Sequence, residues 1–177
     1  MRSSMYLPVK RDTQVYVGAS IHVPTLSDVC ASLGCGTYTK PHVTLIPPTP
    51  IYAAELPFLL SRARTLCTVT SAFRLHVSGF DDFRPVSDVL FATVREGYDN
   101  CVNLAHLLAF GPLNVPQRFD YVPHVTLAQG AQVDEARRRL EGVEGLDVDC
   151  EVQVNHIQVD LLDEVGACTR STTLPLS

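Results

Sequence analysis

Several features are missing from this sequence, and each absence excludes something. No stretch approaches the roughly 18 consecutive apolar residues that a membrane-spanning helix needs. The N-terminal stretch "MRSSMYLPVKRDTQ" lacks the apolar core of a secretory signal, so the expected location is cytoplasmic, with no membrane partner. Proteins that hold long nucleic acids carry a basic stripe that displaces counterions from phosphates. Here the net charge is −5 and the densest basic cluster, Arg137-Arg138-Arg139, lies inside a helical pattern and reads as a solvated face. No groove for long nucleic acid is expected, and a phosphate-bearing partner would be small, or a chain end held at one point. The six cysteines, Cys30, Cys35, Cys67, Cys101, Cys150 and Cys168, include no CxxC pair, and without a secretion signal they suit neither a disulfide framework nor a zinc site. HxH, HExxH, Walker and GxGxxG spacings are all absent, so no metal or nucleotide-cofactor motif is found.

What is present is an ordinary globular composition, with 46% hydrophobic and 19% charged residues in 177. That length suits one domain or two small lobes sharing a core, and residues 1–177 are read as a single bilobal domain. Within it one pentapeptide occurs twice: Pro41-His42-Val43-Thr44-Leu45 and Pro123-His124-Val125-Thr126-Leu127. The two histidines stand 82 positions apart, too far for a solenoid repeat and suited to a duplicated lobe.

Alternating or β-branched stretches predict strands at 14–20, 40–46, 72–80, 88–96, 121–129, 150–162 and 169–176. Helical patterns fall at 25–34, 54–66, 98–110 and 133–143, with Pro57 in a first turn and glycine closing the first and last. Each motif strand is followed by a helix and a hairpin: 40–46, 54–66 and 72–96, then 121–129, 133–143 and 150–176. The fold class implied is α+β, in two quasi-symmetric lobes of antiparallel sheet with outer helices, the motif strands facing each other across a central cleft.

Side chains i and i+2 of a strand share a face, so His42 points with Thr44 and His124 with Thr126. If a pseudo-twofold relates the lobes, one cleft receives two imidazoles and two hydroxyls. Histidine titrates nearest neutrality, so such a pair supplies a general base on one side of a reacting centre and a general acid on the other. In-line displacement at a phosphodiester calls for that arrangement, and the threonines can donate hydrogen bonds to the non-bridging oxygens. Neither role requires a metal. Lys40, two residues before His42, is a candidate phosphate ligand, with Val122 at the matching position of the second copy. Phe119 and Tyr121 are candidates to stack a base. His106 falls among leucines of a helix and reads as core or helix edge; His22 falls in a loop, His76 on a polar strand face and His156 in a late strand.

Two His-x-Thr-hydrophobic motifs on strands some eighty residues apart, with the initial strand "VYVGA", "KPHVTL", the hairpin "FRLHVSGFDDF…VLFATVRE" and "YVPHVTLAQG", resemble the 2H phosphoesterase superfamily, which includes bacterial 2′,5′ RNA ligases and RNA 2′,3′-cyclic phosphodiesterases. The resemblance implies His42 and His124 as catalytic residues, Thr44 and Thr126 as phosphate ligands, and no metal or cofactor. It also implies action on a small nucleotide or RNA end, by hydrolysis of 2′,3′-cyclic phosphates or 2′,5′ linkages or by ligation in reverse. Several bacterial members follow the second motif with arginine, where this chain has Ala128-Gln129-Gly130. That departure keeps a second expectation open, a nucleotide- or RNA-end-binding module that retains the cleft without turnover.

Overall fold

The structure is a computed structural model that describes residues 13–34, 40–142 and 146–177. Eight strands form one antiparallel sheet: β1 (Gln14–His22), β2 (His42–Tyr52), β3 (Phe73–Asp82), β4 (Val89–Glu96), β5 (His124–Gln129), β6 (Cys150–Val154), β7 (His156–Leu162) and β8 (Cys168–Pro175). Four helices accompany them: α1 (Ser27–Leu33), α2 (Leu56–Thr68), α3 (Tyr98–Leu108) and α4 (Val133–Gly142). Pro57 lies in the first turn of α2, where a missing N–H costs nothing. Gly34 closes α1 in the left-handed conformation.

The strand order is β6-β3-β4-β5-β2-β1-β7-β8. Counted outward from the centre, each motif strand has its own three companions: β2 has β1, β7 and β8, and β5 has β4, β3 and β6. The two halves meet at a narrow seam, with Val43 paired to Val125. The α+β architecture in two quasi-symmetric halves of antiparallel sheet is therefore present. The hairpins, however, are exchanged between halves. The β3–β4 hairpin that follows the first motif pairs with the second motif's strand, and β7–β8 returns to pair with β1.

This exchange corrects the expectation of one continuous strand over 150–162. Apolar residues occupy even positions through Cys150, Val152 and Val154, then odd positions through Ile157, Val159 and Leu161. A slip of one residue turns every following side chain to the opposite face. The chain resolves it by ending β6 against β3 and starting β7 against β1, with Asn155 between them. The first motif strand is also longer than expected, running on through Pro47, Pro48 and Pro50. Prolines are tolerated there because β5 has already diverged, leaving that edge of β2 without a ladder partner.

All four helices lie against the apolar face of the sheet. Val43, Leu45, Val125 and Leu127 are at most 2% exposed and belong to one core with Leu26, Leu59, Leu75, Leu104, Leu108 and Ile157. The helices repeat the exchange: α1 precedes β2 but packs near β5, and α3 precedes β5 but packs on β2. His106 lies exposed in the last turn of α3, at a helix edge. Of the five described cysteines, Cys30, Cys67 and Cys101 are buried, and burial pushes the Cys101 thiol up to about 12; Cys35 lies outside the described residues. No described helix is long and apolar enough to cross a membrane.

Candidate active site

With Val43 and Val125 paired and facing the core, the neighbouring motif side chains face the opposite side of the sheet, away from the four described α-helices. The antiparallel register carries His42 across from Thr126 and Thr44 across from His124. The imidazoles thus lie on one diagonal of a four-residue square and the hydroxyls on the other. A diagonal pair of this kind sits about 7–8 Å apart, enough for a tetrahedral phosphorus with a ligand entering on one side and leaving on the other. All four side chains are partly exposed.

Both histidines are held in the same way. The Nδ1–H of His42 donates to the Lys40 carbonyl at 2.7 Å, and that of His124 to the Val122 carbonyl at 2.7 Å. A carbonyl can only accept, so the bond fixes the tautomer and leaves Nε2 with its lone pair free. Pro41 and Pro123, between each histidine and its carbonyl, present no N–H of their own to compete. The geometry therefore equips two Nε2 atoms to take or give a proton on the open face.

Strand pairing extends the square into two rows. One runs His22, His42, Thr126 and Phe91; the other runs Gln158, Ser20, Thr44, His124 and Thr93. The halves differ in what surrounds each imidazole. His124 meets Phe83 and Phe91 edge-on, with ring centroids 4.9 and 5.3 Å away, and the two phenyl rings stack on each other at 4.3 Å. This burial lowers the His124 pKa; the Val122 hydrogen bond partly restores it, and the nearby His42 lowers it further. Phe83 is fixed by its neighbours in the chain. Asp82 takes an ion pair from Arg137, and Arg84 pairs with Asp88 at 2.8 Å and Asp134 at 2.6 Å.

The other expected residues fall in different places. Lys40 lies just before β2, exposed, and bonds His42 through its backbone. The Tyr121 hydroxyl donates to the Thr44 carbonyl at 2.7 Å, a second tie across the seam, and burial pushes the phenol well above its ordinary range. Phe119 is exposed, with the Arg118 guanidinium 5.2 Å over its ring. Arg137 and Arg138 pair with carboxylates along the surface of α4. Phe91, Ser20 and Thr93 escape sequence reading because only strand pairing brings them to the motif, and Phe83 because the β3–β4 loop does. His22, read as a loop residue, is the last residue of β1 and stands opposite His42. Among the described residues, no three His, Cys, Asp or Glu side chains are grouped to hold a metal ion.

Comparison with known proteins gives this geometry a family. The model of the 2′-5′ RNA ligase superfamily matches residues 36–164, which include both motifs. The chain belongs to the 2′-5′ RNA ligase superfamily. As a member of these 2H phosphoesterases it is 32% identical over 140 residues to a Halalkalibacterium halodurans protein named "putative phosphoesterase", covering 79% of this chain and 81% of that one. It is also 32% identical over 95 residues to a Bacillus pumilus protein of the same description, covering 54% of this chain and 55% of that one. Among solved structures, E. coli LigT complexed with 3′-AMP superposes with a TM-score of 0.61 at 15% identity, covering 93% of this chain and 97% of LigT. TT0787 of Thermus thermophilus gives 0.59 at 18% identity, covering 92% and 99%. These likenesses place the fold among LigT-like proteins.

Proposed function

We propose that this superfamily member is a metal-independent phosphoesterase acting on 2′,3′-cyclic phosphate or 2′,5′-phosphodiester linkages of nucleotides or RNA ends. The observation that carries the reading is the matched pair of imidazoles, each with Nδ1 tied to the carbonyl two residues before it and Nε2 left free. Small nucleotide substrates are supported by the LigT structures, which hold 3′-AMP, ATP or NADP+.

In this mechanism His124, whose burial favours the neutral imidazole, takes a proton on Nε2 from the attacking water. The water oxygen bonds to phosphorus as the ester P–O bond opposite it breaks. His42, as the general acid, delivers an Nε2 proton to the departing oxygen. Thr44 and Thr126 donate hydrogen bonds to the non-bridging oxygens as charge builds there. The two histidines end with exchanged protonation states and reset through solvent. Phe119, whose ring is exposed, is the aromatic candidate left to stack a base, since Tyr121 is engaged at its hydroxyl.

The test is hydrolysis of a panel of nucleoside 2′,3′-cyclic phosphates and short 2′,5′-linked oligonucleotides in EDTA, comparing the unmodified protein with His42→Ala and His124→Ala. Each substitution is expected to lower turnover about 10²–10⁴-fold, and the unmodified protein should show a bell-shaped pH profile. Near-normal turnover in either variant would overturn the two-histidine mechanism. Saturable binding without product would make the chain a nucleotide-binding module.

A further inference from the structure

The two sides of the seam are chemically unequal. Beside His124 the sheet offers Phe91, Thr93 and, from the β3–β4 loop, Phe83. Beside His42 it offers His22, then Ser20, Gln158 and Asp160 on the adjoining strands. Opposed residues in antiparallel strands share a face, with Cβ atoms about 4.5–5.5 Å apart, so the His22 ring lies next to that of His42. The β1–β7 register, carried two residues beyond Ser20 and Gln158, brings His156 to the far side of His22. Three imidazoles therefore stand in one row across three strands.

Around His22 stand the Asp160 carboxylate, the Lys40 ammonium and the imidazoles of His42 and His156. The His22 pKa is lowered first by burial; Asp160 raises it, while His42, Lys40 and His156 all lower it. Several cations elsewhere are paired with carboxylates: Arg74 with Glu96 and Glu151, Arg84 with Asp88 and Asp134, Arg137 with Asp82 and Glu141. Among the described residues, neither the Lys40 ammonium nor the His22 ring has an ion pair or side-chain hydrogen bond. With Asp160 as the one carboxylate acting on His22, the Lys40 ammonium and the His22, His42 and His156 rings still gather nitrogen donors on this side of the seam that can meet an anion.

We propose that His22 and Lys40 form a second anion site beside His42, which holds a phosphate group of the substrate other than the one being cleaved. The inference rests on the paired-histidine reading for its location and refines the substrate class. The preferred substrate carries a second phosphate within one nucleotide unit of the scissile linkage, on the His42 side. His22 Nε2–H or Nδ1–H and the Lys40 ammonium donate to its oxygens, and His156 closes the outer end of the row.

Adenosine 2′,3′-cyclic phosphate with and without a 5′-phosphate, and a dinucleotide with a cyclic-phosphate end and one internal diester, distinguish a terminal from an internal second phosphate. The unmodified protein is expected to turn over at least one doubly phosphorylated compound with a kcat/KM about tenfold or more above the simple cyclic nucleotide. That ratio should collapse toward one in His22→Ala and in Lys40→Met. A ratio near one in the unmodified protein on both compounds overturns the proposal. So does a ratio that survives both substitutions, which would place the second phosphate elsewhere on the sheet. If no cyclic phosphate is turned over, inorganic phosphate titrated into His124→Ala, followed through the His22 imidazole resonances, decides the matter independently of catalysis. A saturable shift abolished by Lys40→Met sustains the site, and resonances that do not move dismiss it.

Discussion

At the scale of single residues, identical pentapeptides acquire different surroundings. His42 and His124 share a backbone hydrogen bond and a tautomer, yet only His124 has two phenyl rings against it. Burial disfavours the imidazolium, so removing part of the aromatic wall should let His124 hold its proton to higher pH. Phe83→Ala is therefore expected to move the acid limb of the kcat/KM profile upward, toward the ordinary histidine value. A pH–rate series on the best substrate of the panel checks this, and an unmoved limb would mean that Phe83 contributes nothing to the desolvation. That the motif histidines and threonines would share a face was legible from the period-two geometry of a strand. Phe83 and Phe91 were not, since nothing in "FDDFRPVSDVLF" indicates that its second and third phenylalanines stack on each other against residue 124.

At the scale of elements, the turn between β4 and α3 depends on one glycine. Gly97 has φ of +77°, and a Cβ there would come within 2.7 Å of the Arg74 carbonyl oxygen and 3.1 Å of the Phe73 ring. Both obstacles belong to β3, the neighbour of β4, so relief requires moving paired backbone. Gly97→Ala should cost about 2–3 kcal/mol from the strained backbone and the contact together. Urea denaturation measures it, and a loss below about 0.5 kcal/mol would show that the turn can rearrange. Strand and helix positions followed well from apolar periodicity, including the place of Pro57 in the first turn of α2. The division at Asn155 was missed because both flanking stretches alternate; only the one-residue slip in phase separates them.

At the scale of the whole molecule, two half-sheets joined at a narrow seam place both histidine clusters on one open face and all apolar strand faces under the helices. Holding partly buried imidazoles has a consequence for stability. His22 and His124 both have pKa values below 6.5 in the folded protein, chiefly through burial. The unfolded chain binds protons at these residues near the ordinary value, so it holds more of them than the folded chain just below pH 6.5. Stability therefore rises with pH through this window and falls as the solution is acidified from about 6.5. Thermal unfolding between pH 7.5 and 5 should show a falling midpoint, and the double variant His22→Gln/His124→Gln should flatten that slope. An equal slope in both proteins would assign the acid sensitivity to other groups.

The sequence by itself determined the chemistry and its local geometry: a repeated strand that carries His and Thr on one face and Val and Leu on the other. It also determined the fold class, because periodicity and turn residues act over a few positions and can be read one segment at a time. Tertiary structure alone decided which hairpin joins which motif strand, and hence the partners of each histidine. Those pairings depend on long-range burial and register between segments as far apart as β1 and β7. A duplicated sequence therefore yields an unequal site, with aromatic rings beside His124 and imidazoles beside His42.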